Sequence, residues 1–223
     1  MGKSKAKEIL LRVVILLFGL TIAHLGVTLF LLADIGSDPF NVLIQGLFRQ
    51  SNKLPAVISG ILTHGRVHIV ICLLIIVVLL IVDRTYVRIG TILCMICGGP
   101  IIDFFNMILG PLFEGEISLL IKIIVNVLGC VILAFGMTIV IKSEAGTGPN
   151  DLVAIVISDK LKFKFSWVRV VVDLFFALSG FILGGTVGLG TIICAFVVGP
   201  VAGAFMPFNE KWIKALVARL IKT

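Results

Sequence analysis

Asp34-Ile35-Gly36-Ser37-Asp38-Pro39-Phe40-Asn41 decides the fold of this chain. It follows the first long apolar run directly. Its twin, Glu144-Ala145-Gly146-Thr147-Gly148-Pro149-Asn150-Asp151, follows another such run. The two motifs are offset by 110 residues (144 − 34), and the same offset pairs Gly19 with Gly129, Gly26 with Gly136 and Thr28 with Thr138. Further along, an offset of 100 pairs Gly90-Thr91-Ile92 with Gly190-Thr191-Ile192, and Gly99-Pro100 with Gly199-Pro200. One unit is therefore written twice, with ten extra residues (110 − 100) in the first copy between the motif and its last span. Each motif sets glycine, a small side chain and proline where one helix must end and another begin.

The composition says what surrounds these units. Of 223 residues, 59% are hydrophobic and 14% charged, with a mean hydropathy of +1.21. A soluble domain carries about a quarter charged residues. Several runs here are long enough, at about 18 residues or more, to cross a bilayer. The chain reads as a polytopic membrane protein. Its net charge of +7 does not point to nucleic acid, because the basic residues flank the apolar runs as cytoplasmic anchors do. Lys3, Lys5 and Lys7 precede a run from Leu10 to Ala33 that is too long for a signal h-region, so a retained first span is expected. The five cysteines all fall inside apolar spans. Cys94 and Cys97 have CxxC spacing but no second pair and no histidine cluster, so they read as small apolar filler, with no metal or cofactor expected.

In order, the sequence predicts a basic cytoplasmic lead over 1–9, a first repeat over 10–110, a loop over 111–117, a second repeat over 118–208 and a tail over 209–223. Spans are expected near 10–33, 66–83, 89–109, 118–142, 165–183 and 187–206. Half-helices over 39–49 and 149–159 are too short to cross. Pro39 suits a first helical turn, with Ser37 or Asp38 as its N-cap. Gly98-Gly99-Pro100 and Gly199-Pro200 are expected to break or kink the third and sixth spans near the bilayer middle. In the tail, Ile213, Leu216, Val217, Leu220 and Ile221 share one face and Lys211, Lys214, Arg219 and Lys222 the other. That pattern predicts an amphipathic helix lying on an anionic leaflet.

With the N-terminus in the cytoplasm, the segments predicted to be cytoplasmic hold fourteen Lys and Arg and the opposite segments three. Three spans per repeat is an odd number, so the two copies must run in opposite directions through the membrane. The fold class expected is an all-α polytopic membrane protein. It has six transmembrane helices in two inverted three-helix repeats, each with a short half-helix after its first span. Both termini are cytoplasmic, in the plasma (inner) membrane of a bacterium.

A long apolar helix, then [Asp/Glu]-x-Gly-[Ser/Thr]-x-Pro-x-[Asp/Asn], then a later Gly-Thr-Ile and Gly-Pro, resembles the YczE/YyaS/YitT-type family of bacterial integral membrane proteins. The resemblance covers both halves, roughly 10–206. It implies an inner-membrane protein of about six spans and brings no activity with it. This chain differs in carrying Phe40-Asn41 where an aromatic-Asp pair is common, and in a longer connection that brings His64 and His68.

Polar residues within the apolar segments are the candidates for function. The motifs present exposed helix N-termini, which attract anions. Asp34, Asp38, Glu144 and Asp151 beside them favour a cation or cap the helix themselves. Gly36, Ser37, Asn41, Gly146, Thr147 and Asn150 complete the two turns. Gly99 and Gly199 mark the expected breaks. Asp103 and Asp173 are ionisable groups within spans, and such groups are functional by default. Asp103 is expected to line a polar cavity. Asp173 either does the same or pairs with Arg169 four residues earlier. His24, mid-span, either bonds a neighbouring helix or lines the pathway as a proton carrier. No HExxH, GxSxG or Walker A motif is present, so no enzyme is expected. The function that fits best is secondary transport of a small polar or amphipathic solute by alternating access, with protonation of Asp103 or Asp173 coupling it to the proton gradient. A channel, and a non-transporting membrane partner or lipid-handling protein, are the alternatives. The partners expected are the solute and membrane lipids, with a homo-oligomer left open.

Overall fold

A long uncharged stretch in an apolar solvent must satisfy its own backbone hydrogen bonds, and a helix does so within the one segment; helix is what the chain forms. The computed structural model describes residues 2–36, 38–51 and 64–221. Ser37, the connection over 52–63 and Lys222 lie outside the described residues. The described residues form α1 (Gly2–Ala33), α2 (Pro39–Ser51), α3 (His64–Asp83), α4 (Ile89–Leu109), a 3-10 turn (Gly110–Phe113), α5 (Leu119–Lys142), α6 (Pro149–Leu161), α7 (Phe165–Ile182) and α8 (Leu189–Ile221). Six of them are long and apolar enough to cross a membrane. The other two, α2 and α6, have 13 residues each. At 1.5 Å per residue they reach about 20 Å, well short of the roughly 30 Å of hydrocarbon.

Glycine sets the centre of the bundle. α1 and α5, the helices that precede the two motifs, cross in the most extensive contact of the molecule. A Cβ on Gly26 would stand 2.5 Å from the Gly129 carbonyl oxygen, and one on Gly136 would stand 2.7 Å from that of Gly19. Backbones that close leave no room for any other residue. The remaining helices pack in an exchanged manner. α2, from the first copy, lies against α7 of the second, with Gly180 against Val42 and Leu43. α6 touches α3 of the first copy. Phe30 of α1 is buried against Cys130, Ala134 and Met137 of α5 and Cys194, Val198 and Ala202 of α8.

Of the break or kink expected at the prolines, the break does not occur, and the expectation for the tail is corrected. Gly98-Gly99-Pro100 lies within a continuous α4, and Pro200 and Pro207 within a continuous α8. A proline removes one backbone bond, but a full break would strand several more groups in an apolar setting, and the helix persists. The tail is not a separate surface helix either. It is the end of α8, whose 33 residues extend about 50 Å. Most of its apolar face is covered: Ile213 and Val217 are buried with Ile15 of α1 and Ile139 of α5, and Leu220 alone of that face is exposed. Asn209, fully buried, donates to Thr138 Oγ1 at 2.6 Å. The basic face, with Lys211, Lys214 and Arg219, stays exposed. The lead is also helical, since α1 starts at Gly2.

Charged contacts gather one end of the bundle. Arg12 meets Glu144 at 2.9 Å, Lys142 meets Glu210 at 2.6 Å, Lys160 meets Asp83 at 3.4 Å and Tyr86 donates to Asp159 at 3.1 Å. The start of α1, the α3–α4 and α6–α7 turns and the tail therefore lie together. At the other end, Gln50 donates to the Leu183 carbonyl and the Thr186 N–H to Gln45 Oε1, both at 2.6 Å.

Candidate functional site

Each motif turns the chain by the same means. Asp34 and Glu144 occupy the left-handed region (φ 48 and 57), and Gly36 and Gly146 follow at φ 143 and 134. Only glycine takes the latter values without strain. Each turn then clasps the first residues of a span from the other copy. The Gly190 N–H donates to the Ile35 carbonyl at 2.8 Å, and the Gly90 N–H to the Ala145 carbonyl at 2.9 Å. A Cβ on Gly36 would meet Thr191 Oγ1 at 2.9 Å, and one on Gly146 the Thr91 nitrogen at 2.6 Å. Gly36 and Gly146 are thus packing residues. Asp34 and Glu144 are exposed at opposite ends of the molecule, with Glu144 paired to Arg12. Thr147 is buried, and its hydroxyl has no hydrogen-bond partner among the described residues.

The clasps aim the starts of α2 and α6 into a central cavity of about 480 Å³. All eight helices contribute to its wall. Asp38, Phe40 and Asn41 come from the α2 start, and Asn150 and Asp151 from the α6 start. His24 comes from α1, His68 and Cys72 from α3, Gly98 and Gly99 from α4, Met137 from α5, Arg169 from α7 and Cys194 from α8. Asp38 is the N-cap of α2: its Oδ1 accepts the Asn41 N–H at 3.1 Å and its Oδ2 the Asn41 side-chain amide at 2.5 Å. His24 donates from Nδ1 to the Leu20 carbonyl at 2.8 Å, which leaves Nε2 as the nitrogen facing α4. A Cβ on Gly98 would stand 2.6 Å from that Nε2, whereas one on Gly99 would meet nothing within 4 Å.

Arg169 holds the charged wall together. Its Nε donates to Asp173 at 2.8 Å and its Nη1 to Asp151 at 2.5 Å. Arg169 is 7% exposed and Asp173 1%. The i, i+4 pair is as the spacing allows, and Asp151 joins it from α6, so one guanidinium ties the second half-helix to α7. Charge-assisted bonds of this kind are among the strongest polar contacts available to a buried group.

Not every candidate reaches this site. Asp103 is exposed on α4 and absent from the cavity wall. Gly199 packs against α7, where a Cβ would stand 2.6 Å from the Ser166 carbonyl oxygen. Asp173 stands behind Arg169. His68 was expected only in the connection before the second span and the Asp151–Arg169 link was not expected, yet a signal for both exists. Val67-His68 and Cys72 align with Val168-Arg169 and Asp173 at an offset of 101 (168 − 67), and Asn41 aligns with Asp151 at 110 (151 − 41). The charged trio Asp151, Arg169 and Asp173 thus has the uncharged trio Asn41, His68 and Cys72 as its counterpart, and five of the six residues line the same cavity.

No solved structure matches the chain. It is 30% identical over 216 residues to an uncharacterized membrane protein, YczE, of Bacillus subtilis, covering 96% of this chain and 94% of that protein. It is 26% identical over 194 residues to the uncharacterized protein YyaS of the same organism, covering 86% and 91%. An uncharacterized protein of Haemophilus influenzae is 29% identical over 194 residues, covering 86% and 82%. Membership of the YczE/YyaS type, expected from the motifs, is thereby established. A family model described as a family of unknown function, DUF6198, matches residues 10–207, and the chain belongs to that family.

Proposed function

We propose that this membrane protein is a secondary transporter of a small polar or amphipathic solute, bound in the central cavity. The observation that carries the proposal is the cavity itself: about 480 Å³, walled by all eight helices and capped by the starts of both half-helices. That volume lies within the range of small-molecule sites. Half-helix termini flanking a central site are a recurrent transporter device.

In this proposal the two copies are inverted repeats. The matched clasps of Ile35 with Gly190 and Ala145 with Gly90 support it. The protein sits in the cytoplasmic membrane with both termini inside, as the fourteen-to-three distribution of Lys and Arg favours. α7 and α8 pack closely through Gly199 and Gly203 against Ser166. Their counterparts α3 and α4 have no extensive contact among the described residues. This difference supports one access state, with the packed and separated pairs exchanging roles in the other. Proton coupling is assigned to the Asp151–Arg169–Asp173 group, since Asp103 stands away from the cavity.

The test starts with a thermal-shift screen of the purified protein against metabolites, followed by uptake of each stabilising compound into proteoliposomes. Saturable uptake that responds to a pH gradient and is lost in Asp151→Asn supports the proposal. Flux that does not saturate would make the protein a channel, and no flux would make it a membrane partner.

A further inference from the structure

We infer that the central cavity selects cationic solutes, of the protonated-amine class. The inference rests on the transport proposal only in calling the ligand a solute. It is carried by which charged groups the cavity gathers and how each is already satisfied. Asp38 and Asp151 line the wall, and Asp173 stands directly behind Arg169. With the wall histidines His24 and His68 neutral, three carboxylates against one guanidinium leave two negative charges. The two half-helix starts return about half a positive charge each, so a deficit of about one positive charge remains.

Arg169 does not make the cavity an anion site. Its Nε and Nη1 are held by Asp173 and Asp151. The half-helix termini are not vacant either. Asp38 accepts the Asn41 N–H at the start of α2, and Asp151 lies in the first turn of α6. Asp38 has no cationic partner among the described residues; both hydrogen bonds to its carboxylate come from Asn41. The rest of the wall is largely apolar and includes Phe30 and Phe40. Aromatic faces suit an ammonium group and its carbon substituents. A second anion would add to an existing excess of negative charge in a space of low dielectric, whereas a monocation cancels it.

The charge preference can be read without knowing the natural solute. Gly99 faces the cavity with open space around it, so Gly99→Cys, with the five native cysteines replaced by alanine, places one thiol there. Its rate of modification is compared for three methanethiosulfonates of similar size: trimethylammonium-ethyl, sulfonatoethyl and an uncharged alkyl, each normalised to its rate on a free thiol. The expected result is a cation-to-anion ratio of at least about tenfold, reduced severalfold by Asp38→Asn. Should the replaced chain not fold, the same reagents on the natural chain, with mass spectrometry of Cys72, Cys94 and Cys194, give the same comparison. A ratio near one or below, or reaction with the uncharged reagent alone, overturns this inference and leaves the transport proposal standing. No reaction with any reagent overturns both.

Discussion

Arg169 is the residue on which most depends. Removing it strands two carboxylates, buried Asp173 and part-buried Asp151, that have no other ion-pair partner among the described residues. Breaking one partner of a buried pair costs about 3–5 kcal/mol. Arg169→Ala is therefore expected to lose about that much stability in a detergent unfolding titration, and Arg169→Ala/Asp173→Ala to recover part of it. An Arg169→Ala protein as stable as the parent would show that the pair is not structural. Half of this group was legible in the sequence, because Arg169 and Asp173 lie four apart on one helix. The Asp151 link was not, because it crosses a turn whose path depends on Lys162 in the left-handed region, at φ 59. Asp103 shows the converse limit. Its position beside Gly99-Pro100 suggested a cavity group, but successive helical residues point about 100° apart. Ile102 faces the cavity and Asp103 is exposed.

Among the elements, the two motif turns and the glycine crossings decide whether the bundle forms. Gly146→Ala must adopt φ 134 and bring its Cβ within 2.6 Å of the Thr91 nitrogen. Strained backbone of this sort costs about 1–3 kcal/mol, and the contact adds to it. Gly99→Ala meets nothing and is expected to keep or slightly raise stability, since alanine is the better helix former by about 1 kcal/mol. The two variants, compared by melting temperature, separate a glycine needed for packing from one that merely faces space. Equal losses would mean the clasp carries no weight. The repeated glycines Gly19, Gly26, Gly129 and Gly136 were legible as a pairing of the two copies, but only the packed structure shows that α1 and α5 cross through them. The prolines could not by themselves separate a break from a kink. Proline signals a lost hydrogen bond, but only the surroundings decide whether the helix stops there, and α4 and α8 continue through it.

For the whole molecule, direction and motion can be tested separately. In intact cells, a membrane-impermeant thiol reagent is expected to label Glu116→Cys from outside, and to reach Lys162→Cys and Lys214→Cys only after permeabilisation. Labelling of Glu116→Cys and Lys162→Cys from the same side would end the inverted-repeat proposal. Motion is carried in that proposal by α7 separating from α8 while α3 and α4 close. Gly203 and Ser166 are the contact to hold shut: a Cβ on Gly203 stands 2.8 Å from the Ser166 Cβ. A disulfide, whose Cβ atoms lie about 3.5–4.5 Å apart, needs only a small outward shift there. The Ser166→Cys/Gly203→Cys pair should therefore cross-link under mild oxidant. If access alternates, the oxidised protein binds ligand in the thermal-shift assay yet shows no net uptake into proteoliposomes, and reduction restores uptake. Undiminished uptake by the fully cross-linked protein would mean that α7 and α8 stay together throughout the cycle, so the cavity would have to empty by another route.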